Sequence, residues 1–165
     1  MARRQTTRGW SVIEPADVQQ LINRWWFAYD QADFEQMTDL LTTDVQFVCR
    51  TDTGETDFEE FVRADVSGRD AVMAWQTPHR MGSPDPLRHN GANIHITRGD
   101  AAEADFASYI FVTHNVAGFP SPLSSAIVTG TVRLEDGHLR IAHMTVVLDT
   151  QDSVALSERS GATQA

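Results

Sequence analysis

The 165-residue chain has 41% hydrophobic residues and a formal net charge of -10, which suits one domain with a buried core and leaves little for a second. Its 13 basic residues are all arginines and form no block, which argues against nucleic acid and anionic membranes as partners because phosphate binding needs clustered cations. No apolar run is long enough to span a bilayer, no signal-peptide core follows the basic start, and the lone Cys49 precludes an internal disulfide, so the expected setting is the cytoplasm.

Residues 1–12 are polar and aperiodic and are expected to be flexible, as is the tail 151–165; a single domain is expected over 13–150. The first helix is the clearest element. Val18, Leu21, Ile22, Trp25, Trp26 and Tyr29 recur at helical spacing. Pro15 suits the first turn and Asp17 complements the helix N-terminus. Asp30 follows on the border of that stripe. Asp33, with Gln36 three residues later, predicts a capped second helix with Phe34, Met37, Leu40 and Leu41 facing inward.

Val45–Cys49 reads as a strand and 52–56 as a loop. Residues 57–75 read as helical, interrupted at Ser67-Gly68. From Pro78 to Pro86 the prolines and Gly82 predict a loop, a candidate lid for a pocket. Strands are expected near 89–97, 102–115, 123–135 and 138–149, with turns at Arg98-Gly99-Asp100 and Glu135-Asp136-Gly137. Helices followed by a run of antiparallel strands is the order of an α+β fold. A strongly curved sheet wrapped around the first helix would make a cone-shaped, barrel-like domain with an internal cavity.

Three groups in this layout could carry proton transfer: Tyr29-Asp30, His89 and His114. Histidine titrates near neutral pH, a carboxylate can orient it, and a tyrosine hydroxyl can polarise a carbonyl as charge develops. The bulk of the pocket wall is expected from Trp25, Phe47, Cys49 and Trp75, with Asn93 in its polar network. Six histidines (79, 89, 95, 114, 138, 143) invite a metal reading, but no helical His-x-x-x-His and no Cys-x-x-Cys is present, so no metal is expected. Arg80 and Arg88 flank the proline-rich loop, where they could hold a substrate carboxylate, but they are read first as solvated. A nucleophile elbow, a Walker loop and a dinucleotide fingerprint are all absent from the sequence.

Several of these segments, in order, resemble the scytalone dehydratase-like branch of the SnoaL-like, nuclear-transport-factor-2-like superfamily. They are Trp25 with Tyr29-Asp30 and Asp33-Phe34, then Gly68-Arg69-Asp70-Ala71, then His89 with Asn93, Val112-Thr113-His114, Gly130 and Asp136-Gly137. The resemblance spans about residues 14–149. It implies a curved-sheet cone, usually a homo-oligomer (dimer or trimer), acting without metal or organic cofactor. It also implies that Asp30 pairs with His114, that His89 is the general acid/base, and that Tyr29 helps to polarise a substrate carbonyl. The family's second tyrosine would fall near Cys49, and its strand-borne serine and asparagine have no clear match around Ser125–Thr131.

The expected activity is therefore cofactor-independent lyase or isomerase chemistry on a small cyclic hydrophobic ketone or hydroxy-ketone, with dehydration ahead of isomerisation and aldol cyclisation. The alternative from another class is a non-catalytic small-molecule-binding or accessory subunit. Epoxide hydrolysis is a third option and would need an Asp–Arg–Asp constellation in the pocket.

Overall fold

The computed structural model describes residues 13–159. The expectation for residues 1–12, and that for the last six residues of the tail, lie outside this range. Helix α1 (Pro15–Asp30) opens with Pro15 in its first turn and Asp17 near its N-terminus. Its predicted stripe is buried, together with Ala28 and Asp30. Burial of so many large side chains on one face, rather than intrinsic propensity, is what holds such a helix. The helix ends in a Schellman arrangement: Asp33 N–H donates to Ala28 O (2.9 Å), Ala32 N–H to Tyr29 O (3.0 Å), and Ala32 is left-handed at φ 54. Helix α2 (Phe34–Asp39) follows, capped by the Asp33 side chain, which accepts from Gln36 N–H at 3.0 Å. The amide of Gln36 reaches the Asp33 carboxylate at 3.3 Å, so the pair caps without the reciprocal backbone bond of a capping box.

The sheet has six strands in the order β2-β1-β6-β5-β4-β3. Their ranges are β1 Leu41–Thr51, β2 Ala64–Ser67, β3 Leu87–Gly99, β4 Glu103–Val116, β5 Phe119–Glu135 and β6 His138–Leu148. All neighbours are antiparallel except β1 and β6, which run parallel. Register shifts interrupt β1/β6, β3/β4, β4/β5 and β5/β6. Bulges of this kind bend strands, and the sheet curls over α1. At Gly130 the inner face leaves no room for a side chain, since a Cβ there would lie 2.2 Å from His143 O and 2.8 Å from the Phe106 ring. The turn between β5 and β6 takes left-handed backbone at Asp136 and Gly137, as its composition predicts.

Two expectations for the middle of the chain are corrected. Residues 57–75 are not one interrupted helix: helix α3 spans only Glu59–Val62 and is followed by β2, which pairs with β1. Four residues carry too little periodicity to separate an edge strand from a helical turn. Nor does the loop begin at Pro78. Helix α4 runs Arg69–Gly82 with Pro78 inside it. Pro78 cannot bond the carbonyl of Ala74, but both residues are exposed, so water can satisfy that carbonyl and the helix continues. In the tail, Leu156–Glu158 forms a short 3-10 turn.

Strand β3 is an edge strand, and α1 lies along its free side. Gln19 Nε2 donates to Ile94 O at 3.1 Å, and the Asp30 carboxylate takes a β3 backbone N–H. Unpaired edge groups thus find partners on the helix, which blunts the edge and fixes the C-terminal end of α1 against the sheet.

Candidate functional site

The curled sheet, with α1, α3 and α4, bounds a cavity of about 320 Å³. Its walls come from α1 (Trp26, Tyr29), β1 (Phe47, Cys49), α4 (Trp75, His79) and the inner faces of β3 to β6. Phe58, Phe61 and Leu123 also line it and are partly open to solvent. The lining is mostly apolar, with polar groups contributed by Tyr29, Cys49, Gln76, His79, Ser83, His89 and Ser124.

Asp30, only 6% exposed, uses both carboxylate oxygens on one residue: Oδ2 accepts from the backbone N–H of His89 at 2.8 Å and Oδ1 from its Nδ1 at 2.6 Å. A carboxylate is an acceptor, so it fixes the ring proton on Nδ1 and leaves Nε2 as the free acceptor of the neutral ring. Among the described residues Nε2 has no hydrogen-bond partner. The ring stacks on Trp26 at 4.7 Å and meets the Tyr29 ring edge-on at 5.2 Å. This is an Asp–His dyad with its orientation locked on three sides.

The pairing of Asp30 with His114 is therefore corrected. Asp30 is occupied by His89, because the first residues of β3 lie directly against the end of α1. His114, on β4, stands opposite Leu87 of β3, two pairs beyond the His89–Val112 pair, and is not among the residues that line the cavity. Tyr29 lines the cavity, but its hydroxyl is turned to α4, where it bonds His79 Nδ1 at 2.7 Å and lies 3.4 Å from Ser83 Oγ. Burial pushes its phenol up to about 12. Phe47, Cys49 and Trp75 take wall positions as expected; burial pushes the Cys49 thiol up to about 12, so it behaves as a small apolar group. Two wall assignments are corrected. Trp25 is fully within the core, and Trp26 takes the wall position instead, because the helical turn aims the later residue at β3. Asn93 is exposed at a bulge of β3 with φ 56, where it offers its carbonyl to His95 rather than any group to the cavity.

Two residues of α4 matter in ways the sequence did not predict. His79 lines the cavity, stacks on Phe61 (4.6 Å) and Trp75 (4.5 Å), and is held at about 4 by burial and by the nearby His89. Arg80 is not solvated: it is 5% exposed, donates to Tyr29 O and Asp30 O at 2.9 Å each, and meets Asp85 at 2.8 Å. It is a cationic cap on the C-terminus of α1. It bonds the Asp30 backbone and not its carboxylate, and among the described residues no Asp or Arg lines the cavity, so no Asp–Arg–Asp constellation forms there. The helical spacing Val72, Trp75, Gln76, His79, Arg80 was the signal that could have found both. Among the described residues, no three His, Cys, Asp or Glu side chains gather as a metal site, and no helix is long and apolar enough to cross a membrane.

The fold recurs in solved structures. A protein of unknown function with a cystatin-like fold from Nostoc punctiforme superposes with a TM-score of 0.66 at 18% identity, covering 81% of this chain and 90% of that one. A structure from Catenulispora acidiphila in complex with S-DNPA gives 0.65 at 23% identity, covering 81% and 91%. A candidate scytalone dehydratase from Novosphingobium aromaticivorans gives 0.63 at 14% identity, covering 85% and 87%. At these identities the likeness is one of fold. No curated protein matches the chain. The model of the SnoaL-like domain matches residues 11–145, and with that match over most of its length the chain belongs to the SnoaL-like family.

Proposed function

We propose that this protein is a cofactor-independent lyase or isomerase that moves a proton on a small cyclic hydrophobic ketone or hydroxy-ketone, with dehydration as the first choice of outcome. The observation that carries this reading is the Asp30–His89 dyad, whose Nε2 is left free at the wall of an apolar cavity. A base held in one tautomer and partly shielded from water is suited to removing a proton from carbon next to a carbonyl. His89 Nε2 takes the proton, and the C–H electron pair becomes the enolate. The enolate then expels a β-hydroxyl, which leaves as water with the proton returned from His89. Reprotonation at another carbon gives isomerisation, and attack on a second carbonyl gives cyclisation.

Exchange of the α-protons of 1-tetralone in D2O, followed by proton NMR, tests the core of this reading. The wild type is expected to catalyse exchange, and Asp30→Asn and His89→Ala to lose it while keeping their circular dichroism spectra. Full exchange in both variants rules the dyad out as the base.

A ligand-capturing role for the same cavity is favoured by Cys49, an inert apolar group where the resemblance implies a phenol. Tight binding with no exchange would select it. A homo-oligomer is also part of the proposal: Tyr109, Phe111 and Ile127 are about half exposed on the outer face of the sheet, where Tyr109 pairs with Ile127. Light scattering of the wild type and of Ile127→Arg tests it, with a larger mass expected for the wild type. The cytoplasmic setting and the absence of nucleic-acid and membrane partners rest on the acidic, single-cysteine composition.

A further inference from the structure

His79 is the cavity's second imidazole, and its hydrogen bonds define what it can do. Ser83 Oγ donates its single proton to His79 O at 2.8 Å, so toward Tyr29 it can only accept. The Tyr29 proton therefore has two acceptors on offer, Ser83 Oγ at 3.4 Å, beyond the usual O–H···O length, and His79 Nδ1 at 2.7 Å, within hydrogen-bond range. With Nδ1 accepting, the neutral ring carries its proton on Nε2. That atom is shielded from solvent and bonds nothing among the described residues. A buried donor without a partner costs about 1–3 kcal/mol and invites one. The ring is stacked against Trp75 and against Phe61, which is half-exposed on the four-residue α3.

We propose that His79 is the hydrogen-bond donor of the cavity: Tyr29 sets its tautomer, and its Nε2–H binds an oxygen of the ligand, so the site selects small apolar molecules that bear a carbonyl or similar acceptor. This deepens the proton-transfer reading and rests on the same cavity. Its two histidines then have opposite polarity. His89 presents an acceptor to a C–H, and His79 presents a donor to the oxygen on which the negative charge of the enolate develops. The flanking Tyr29 ring lies 5.2 Å from His89 and 6.1 Å from His79. Burial keeps His79 uncharged at neutral pH, so it donates without giving up its proton. Tyr29 is thereby a positioning residue, and the carbonyl-polarising role passes from its hydroxyl to the imidazole that it orients.

Two measurements test this. Long-range proton–nitrogen NMR of the histidine rings at pH 7 is expected to show His79 as the Nε2–H tautomer in the wild type, with that preference weakened in Tyr29→Phe. A wild-type Nδ1–H tautomer overturns the proposal, whatever the variants do. Separately, quenching of tryptophan fluorescence measures binding of 1-tetralone and of tetralin, which differ by the carbonyl oxygen. The wild type is expected to prefer the ketone at least tenfold, and His79→Phe, which keeps the aromatic stack, to lose that preference. Equal preference in wild type and variant overturns the donor role, as does failure of both probes to bind the wild type, which also removes the cavity reading. Ketone preference through His79 with no α-proton exchange upholds the donor and sinks only the proton-transfer function.

Discussion

The two histidine-bearing walls of the cavity are built on different physics. On the β3 wall, His89 is held by a carboxylate through two bonds, one to its backbone and one to its ring. On the α4 wall, His79 is held by a neutral hydroxyl and by two aromatic faces, and burial keeps it uncharged. A charged partner makes an acceptor of the far nitrogen, whereas a neutral hydroxyl donor makes that nitrogen a donor. One residue ties the walls together. Arg80 reaches from α4 to the last carbonyls of α1, so the helix that presents Asp30 and Tyr29 is clamped by the helix that presents His79. Two imidazoles in one cavity are thus given different jobs by their partners.

The contrast can be broken at four points. Removing the charged wall has the largest expected effect: His89→Ala lowers ketone α-proton exchange about 10³-fold, roughly 4 kcal/mol of barrier, and Asp30→Asn about 10²-fold. Exchange rates at saturating ketone check this. Cutting the clamp comes next. Arg80→Met leaves Asp30 O without its partner and removes a buried cation from its acceptors; it should destabilise the fold by about 3 kcal/mol in urea unfolding and lower exchange as Asp30 shifts.

The third effect is on pH. The folded pKa of His79 is about 4 against an ordinary value of 6.5. Between these values the unfolded chain binds a proton that the folded chain does not, so the contribution is complete above pH 6.5 and is lost as pH falls toward 4. After allowance for partial exposure the loss is on the order of 2 kcal/mol. The lowered carboxylates, such as Asp105 and Glu135, titrate at more acidic pH. Denaturation midpoints from pH 7 to 4.5 should therefore fall in the wild type and be flatter in His79→Phe. The smallest effect is expected from Tyr29→Phe, about 1 kcal/mol of stability and roughly tenfold in exchange, since one hydrogen bond is lost and the aromatic packing stays.

Much of the frame is legible in the residues. The stripe from Val18 to Tyr29 and the turn at Asp136-Gly137 each repeat a local rule, and both appear where the pattern puts them. Asp30 and His89 are found from motif order, but the partner of Asp30 is not. Pairing depends on where the edge of β3 meets the end of α1, a contact between residues 59 positions apart. His79 is hidden by Pro78, which reads as a break because a proline removes a helical hydrogen bond; the break does not occur because the orphaned carbonyl faces water.

The sequence by itself determined the first helix, the four long strands of the second half and the apolar inventory, because helical and strand periodicities act over a few residues at a time. Only the tertiary structure decided the roles. A histidine becomes acceptor or donor according to the group placed against its other nitrogen, and those groups arrive from distant turns of the chain: Asp30 for His89, Tyr29 for His79, with Arg80 holding both in place.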